Sequence, residues 1–201
     1  VEAVGSQGML LDQWVGAMRL LVLTLTAMRM DFNVTKNVVI ASSQWLATAA
    51  AAAVPEATIH VQRSGASLGA GLGAGVRRCA AAAAKRTRNF AARINRFRLL
   101  RRAGVCTARL LRTGGVAAMT YGTPVMGLAP SELLKQRRAA AAALVGTSTR
   151  GDIDLTLALA DGPKGAAADP AFSAHVDPIG TWATAVWEAW IPRRAMAILF
   201  C

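Results

Sequence analysis

The chain predicts a mostly α protein with a small α+β remnant at its N-terminal side and a basic helical bundle after it. Three observations predict this. Apolar residues recur at intervals of three and four through several long segments, alanine fills 43 of 201 positions, and the best strand-like run is the short Val38-Val39-Ile40-Ala41. Alanine supplies helix propensity more than packing, so the 54% hydrophobic content overstates the core, and aromatics at 5% keep that core modest. The length suffices for one domain or two small ones. Composition divides it into 1–75, 76–145 and 146–201.

The first helix is expected at 9–30, where Leu10, Trp14, Met18, Leu21, Leu25 and Met28 share one face. Asp31-Phe32-Asn33 suggests a turn, and the β-branched run at 38–41 follows it as a strand. Ser42-Ser43 caps an alanine-rich helix that Pro55 stops, and 58–62 alternates as a second short strand. Residues 64–75 hold five glycines and read as a flexible connector. They contain neither the Gly-Lys-Ser/Thr of a phosphate loop nor G-x-G-x-x-G.

A long basic helix is expected at 76–103, ended by Gly104, with Phe90, Ile94, Phe97 and Leu100 as its apolar stripe. A second helix at 107–113 is expected to turn Leu110 and Leu111 inward and Arg109 and Arg112 outward, until Gly114-Gly115 breaks it. Ser131 is expected to cap a helix running to Leu144, with Glu132 at the positive end of its dipole. In the acidic tail, Gly162-Pro163 and Asp169-Pro170 mark turns, and Asp177-Pro178 starts a last helix ended by Pro192. Its Ile179, Trp182, Val186, Trp187 and Trp190 read as local core packing, with an interface for another domain as the alternative.

Charge is the strongest functional signal. Between Arg77 and Arg138 stand fifteen Lys or Arg and one acid, Glu132, in a chain of net +12. Solvated helix faces mix signs; this one does not, and like charges repel unless a polyanion or solvent takes them up. Arginine predominates, and its guanidinium suits bidentate phosphate contact. Nucleic acid is therefore the expected partner. A membrane-surface helix is disfavoured, because the apolar stripe is narrow and lacks Trp.

Catalytic chemistry is not visible. Cys79, Cys106 and Cys201 have no Cys-x-x-Cys spacing and His60 and His175 no ligand-like spacing to them, so no zinc site, disulfide framework or cofactor is expected. This usage fits a reducing intracellular compartment, nuclear or cytoplasmic. Glu2 and Asp12 oppose a signal peptide, and the apolar runs at 20–28 and 46–54 are too short to span a bilayer. Asp152 and Asp154 do not form an adjacent two-metal pair and read as solvated or helix-start acids.

Several segments, in order, resemble the reverse transcriptases of non-LTR retrotransposons. The helix at 9–30 and Met30-Asp31-Phe32-Asn33-Val34-Thr35-Lys36-Asn37-Val38-Val39 are similar to the stretch after that family's catalytic aspartates, where Gly-Leu-x-x-Asn-x-x-Lys-Thr is usual and Arg29-Met30 here replaces Gly-Leu. Ala66-Ser67-Leu68-Gly69 resembles the Tyr-Leu-Gly strand motif without its aromatic. The basic helices from 76 to 111 look like the start of the thumb, and Ala118-Met119-Thr120-Tyr121-Gly122 looks like the Pro-x-x-x-Tyr-Gly element.

The resemblance implies an end-of-palm segment followed by a thumb-like bundle, with the fingers, most of the palm and the catalytic aspartates in an upstream polymerase portion. It implies template–primer binding, to an RNA–DNA hybrid or structured RNA, within an RNA-directed DNA polymerase, and no catalysis in this chain. Lys36, Arg88, Arg93, Arg96, Arg98, Arg101, Arg102, Arg109 and Arg112 are the implied binding residues. The residues themselves also admit an unrelated basic helical module, or a retroelement relic whose Ala, Arg and Gly reflect GC-rich codons.

Overall fold

The computed structural model describes residues 6–31, 33, 35–67, 69–74, 79–145, 151–161, 167–188 and 190. The features expected at Phe32, Leu68, Gly75, Arg77, Arg78, Gly162-Pro163 and Pro192 lie outside the described residues. The fold is mostly helical, with two short strand pairs. Contacts divide it into two compact units, Val1–Ser67 with Leu72–Cys79, and Leu68–Gly71 with Ala80–Cys201.

In the first unit α1 (Gln7–Ala27) ends at C-cap Met28, followed by Arg29 in the left-handed region at φ +55°. The Arg29 N–H donates to Thr26 O and the Met30 N–H to Leu25 O, the paired bonds that close a helix C-terminus. Strand β1 (Val38–Val39), helix α2 (Gln44–Ala53) and strand β2 (His60–Val61) form a parallel crossover, Val38 opposite His60 and Val39 opposite Val61. Ser43 Oγ accepts the Leu46 N–H at 3.2 Å and starts α2 where the sequence placed a cap. Leu11 and Trp14 of α1 pack on the small core of Val39, Ala47 and Ala50, and Arg19 donates to Ala53 O at the end of α2.

By length and composition Gly8–Ala27, a span that takes in Asp12 and Arg19 and is wider than the charge-free runs, is long and apolar enough to cross a membrane. One expectation fails in this part of the chain. The glycine-rich segment is a hairpin rather than a connector: β3 (Ser64–Ser67) pairs with β4 (Ala70–Gly73), and Gly69 takes φ +84° between them. Gly65 belongs there because a Cβ would lie 3.0 Å from the Ile40 Cδ1 methyl.

The second unit is a helical bundle. The expected single basic helix is two, α3 (Ala81–Ala91) and α4 (Ile94–Arg102), joined by a tight turn in which the Arg93 N–H reaches Phe90 O. Seven residues of straight helix would separate Phe90 from Phe97 by ~10.5 Å along the axis. The turn lets the rings meet edge to face with centroids 5.5 Å apart. Phe90 is buried, Ile94 and Phe97 pack on the core, and Leu100 departs from the expected stripe by lying exposed. Gly104, at φ +82°, ends α4: its N–H bonds Arg101 O while the Val105 N–H bonds Leu100 O.

Gly114-Gly115 does not break the next helix. The chain passes from α5 (Thr107–Leu110) through a π-helical turn, Leu111–Gly115, into α6 (Val116–Thr120). Leu111 is fully buried, but Leu110 turns outward, contrary to expectation. A Cβ on Gly115 would stand 2.7 Å from Phe90 Cε2, so the glycine makes room for the ring. After α7 (Thr123–Met126), helix α8 (Pro130–Leu144) begins with proline at its first turn. Ala129 is its N-cap, and Ser131 lies inside it.

Helix α8 is the bundle's centre: α3, α4, α5 and the tail helices α9 (Ile153–Asp161) and α10 (Pro170–Trp187) all pack against it. Its buried Ala139, Ala140, Ala141 and Ala143 let several helices approach closely, so alanine here is core and not merely a helix former. Helix α10 starts at Asp169-Pro170, because Asp169 Oδ1 accepts the Ala171 N–H at 2.8 Å; Asp177-Pro178, the expected start, lies in its interior. The tryptophans do not form a core. Ile179, Trp187 and Trp190 are exposed, and Trp182 is about half exposed.

Candidate nucleic-acid interface

The nine expected binding residues fall into three groups. Lys36 belongs to the first unit and is exposed in the turn before β1. Asn33 builds that turn, its Oδ1 accepting from the Thr35 N–H at 3.1 Å and the Thr35 hydroxyl at 2.7 Å. The eight arginines belong to the second unit.

Arg88, Arg93, Arg96, Arg102 and Arg109 form the second group, all exposed and none paired with a carboxylate among the described residues. Arg93, Arg96 and Leu100 follow one another at helical spacing along one edge of α4, and Arg102 flanks the other side of exposed Leu99. Guanidinium groups thus frame an apolar strip. This is a surface that can touch phosphates with its edges and sugar or base surface with its middle.

The third group is partly committed to the fold. Arg98 is half-buried, donates to Asn95 Oδ1 at 3.3 Å, and leaves its buried Nε without a partner. Arg101 donates from Nη1 to Leu144 O, satisfying a carbonyl at the end of α8 where a cation also meets the negative pole of the helix. Arg112 is half-buried in the π-helical turn.

Two other arginines of the block are internal clamps. Arg86 donates to Gly69 O and to Tyr121 O, and its guanidinium carbon sits 5.1 Å from the Tyr121 ring centroid. A Cβ on Gly69 would lie 2.6 Å from Tyr121 Cε1, so the hairpin tip and the Tyr121-Gly122 turn meet through a glycine. Arg137 binds Asp169 through Nε at 3.0 and 3.1 Å and Nη2 at 2.8 Å, and Asp154 through Nη2. The hydrogen bond with Asp169 raises the Arg137 pKa above the usual arginine range, burial opposes it, and Asp154 adds to the rise.

These pairings explain why the outer arginines stay uncompensated. Glu132 is buried and binds Lys135 at 3.2 Å, Asp152 caps α9 through the Asp154 and Leu155 N–H groups, and Asp161 accepts from Ala168 N–H. Glu132, Asp152, Asp154, Asp161 and Asp169 are thus each engaged within the unit. Sequence reasoning passed over Lys85 and Arg138, both exposed and unpaired among the described residues; Lys85 stands three residues before Arg88 on α3, a spacing that could have flagged it. Among the described residues no three His, Cys, Asp or Glu side chains converge as a metal site.

Comparisons with protein-family models, curated proteins and solved structures give no match.

Proposed function

We propose that this chain holds a nucleic-acid duplex, an RNA–DNA hybrid or structured RNA, through backbone contacts from the outer surfaces of α3, α4 and α5. In this reading it is the template–primer-binding, thumb-like portion of an RNA-directed DNA polymerase of a retroelement, with the chemistry supplied by an upstream portion. Lys36, exposed in the first unit, is a separate phosphate-binding residue in this reading. One observation carries the reading: Arg88, Arg93, Arg96, Arg102 and Arg109 are exposed, and none of them pairs with a carboxylate among the described residues. Arginines with no internal counter-charge take their counter-charge from outside.

The test is anisotropy titration of labelled RNA–DNA hybrid, DNA duplex and single-stranded RNA against the chain over a salt series. The proposal expects affinity that falls steeply and linearly with the logarithm of salt, and preference for the hybrid over B-form DNA. Steep salt dependence without that preference favours an unrelated basic module. Undetectable or salt-insensitive binding overturns both. The polymerase assignment has its own check in the coding sequence upstream, where an in-frame Phe/Tyr-x-Asp-Asp segment is expected.

A further inference from the structure

Helix α10 is apolar on both of its faces. Pro170, Ala174 and Ala185 are buried, and the helix packs on α6, α7 and α8. On the opposite side Phe172, Val176, Ile179, Ala183 and Trp187 follow at steps of four, three, four and four, one continuous stripe, and Trp190 continues it. Exposure along it is high, 67% at Ile179 and 91% at Trp187. The polar Ser173, His175, Asp177 and Thr184 lie between the two faces, and an exposed apolar patch rimmed by polar residues marks an interaction surface.

We infer that this stripe is a self-association surface, and that its occupant is the same stripe of a second copy. Three observations choose that occupant. The stripe carries no charged residue, so two-fold pairing brings no like charges together even though each copy bears +12. Its area suits a dimer: with aromatic side chains of ~150–250 Å², the exposed fractions of Phe172, Val176, Ile179, Trp187 and Trp190 amount to about 700 Å² per copy, close to the ~800 Å² per partner of a standard interface. Its pattern is self-complementary. Antiparallel pairing centred on Ala183 sets Trp187 against Ile179 of the second copy and Trp190 against Val176. Gly180, where a Cβ would meet nothing within 4 Å, leaves space beside the ring.

A lipid surface fits less well. Interfacial helices oppose their apolar face with Lys or Arg, and α10 has neither. The pairing is independent of the nucleic-acid reading, since it uses none of the basic residues.

Sedimentation velocity on the full chain over a protein dilution series tests this. The wild type should sediment as a dimer of the 21.0 kDa chain and dissociate on dilution. Ile179→Glu combined with Trp187→Glu should give a monomer at every concentration, its dimer dissociation constant raised at least ~100-fold by buried unpaired carboxylates. Trp187→Ser, at a position too exposed to unfold the chain, should raise that constant about tenfold or more and decides the matter if the double variant loses helical circular dichroism. A wild type that remains monomeric, a Trp187→Ser variant that dimerises as the wild type does, or a monomer that binds neutral phosphatidylcholine vesicles through these residues overturns the inference.

Discussion

Replacing Arg93, Arg96 and Arg102 together with Gln separates a phosphate-binding face from a merely solvated one. All three are exposed and lack carboxylate partners among the described residues, and Gln matches Arg closely in helix propensity. At about 0.15 M salt, where repulsion among the outer arginines is largely screened, stability should therefore stay within ~0.5 kcal/mol of wild type. Binding should not. Each phosphate contact on a duplex contributes about 0.9 to the slope of log affinity against log salt, so losing three flattens it by ~2.7. Over a fourfold rise in salt, the wild-type advantage should shrink by about 40-fold, from 4 raised to that power. Anisotropy with a labelled RNA–DNA hybrid measures both slopes, and thermal melting supplies the control.

Arg101→Gln supplies the contrast. Its guanidinium donates to Leu144 O at the end of α8, so its loss should cost about 1–2 kcal/mol of stability and change the salt slope by no more than ~0.9. Parallel slopes for the wild type and the triple variant, with both binding, would refute the reasoning and leave the outer arginines as solvated surface.

Gly115→Ala gains up to ~1 kcal/mol of helix propensity but drives a Cβ to 2.7 Å from Phe90 Cε2 and 2.9 Å from Leu111 Cδ1; overpacking of ~1–3 kcal/mol should prevail and lower the denaturant midpoint. Arg29→Gly should stabilise the chain by about 0.5–1 kcal/mol in chemical denaturation, because relief of the φ +55° strain exceeds the added freedom of the unfolded chain. Arg137→Gln should cost ~2 kcal/mol by releasing Asp169 and Asp154. The folded Arg137 pKa is raised, so its contribution is complete below the unfolded arginine pKa and is lost only as pH rises through the folded value; the wild-type advantage from this protonation should be equal at about pH 6 and about pH 9 in paired melts.

Local signals in the sequence located much of the fold. Ser43 caps α2, Gly104 ends α4 and the β-branched 38–39 pair forms a strand, because each outcome depends on a few adjacent residues. The failures share another cause. Asp169-Pro170 and Asp177-Pro178 offer the same cap signal, and only the first is fixed by a distant partner, Arg137. Gly114-Gly115 reads as a helix breaker until Phe90 needs the space over Gly115. The Trp stripe reads as core because periodicity reports a face without reporting what covers it. The arginines show the same limit: composition identified the block, but no spacing separates Arg101, drawn to the end of α8, from Arg102 beside it.

That separation bears on stability as well as binding. Arg86, Arg101 and Arg137 meet carbonyls and carboxylates, which makes them structural, while the outer arginines contribute repulsion with no internal offset. Pairs about 6–10 Å apart in water repel by roughly 0.4–0.7 kcal/mol each, so several neighbours on α3 to α5 sum to ~2 kcal/mol at low ionic strength. The Debye length falls from ~30 Å at 0.01 M to ~8 Å at 0.15 M, and most of that penalty should be screened. For a chain of this size ~1–2 kcal/mol corresponds to a rise in Tm of about 3–6 °C as salt is added. Salt should therefore strengthen the fold while weakening nucleic-acid binding. Calorimetry at matched sodium chloride concentrations measures the first effect, and the triple Gln variant should show a smaller rise than wild type. A Tm that falls with salt would mean that attraction, as in the Arg137–Asp154–Asp169 cluster, outweighs repulsion among the outer arginines, and that the basic face needs no external counter-charge.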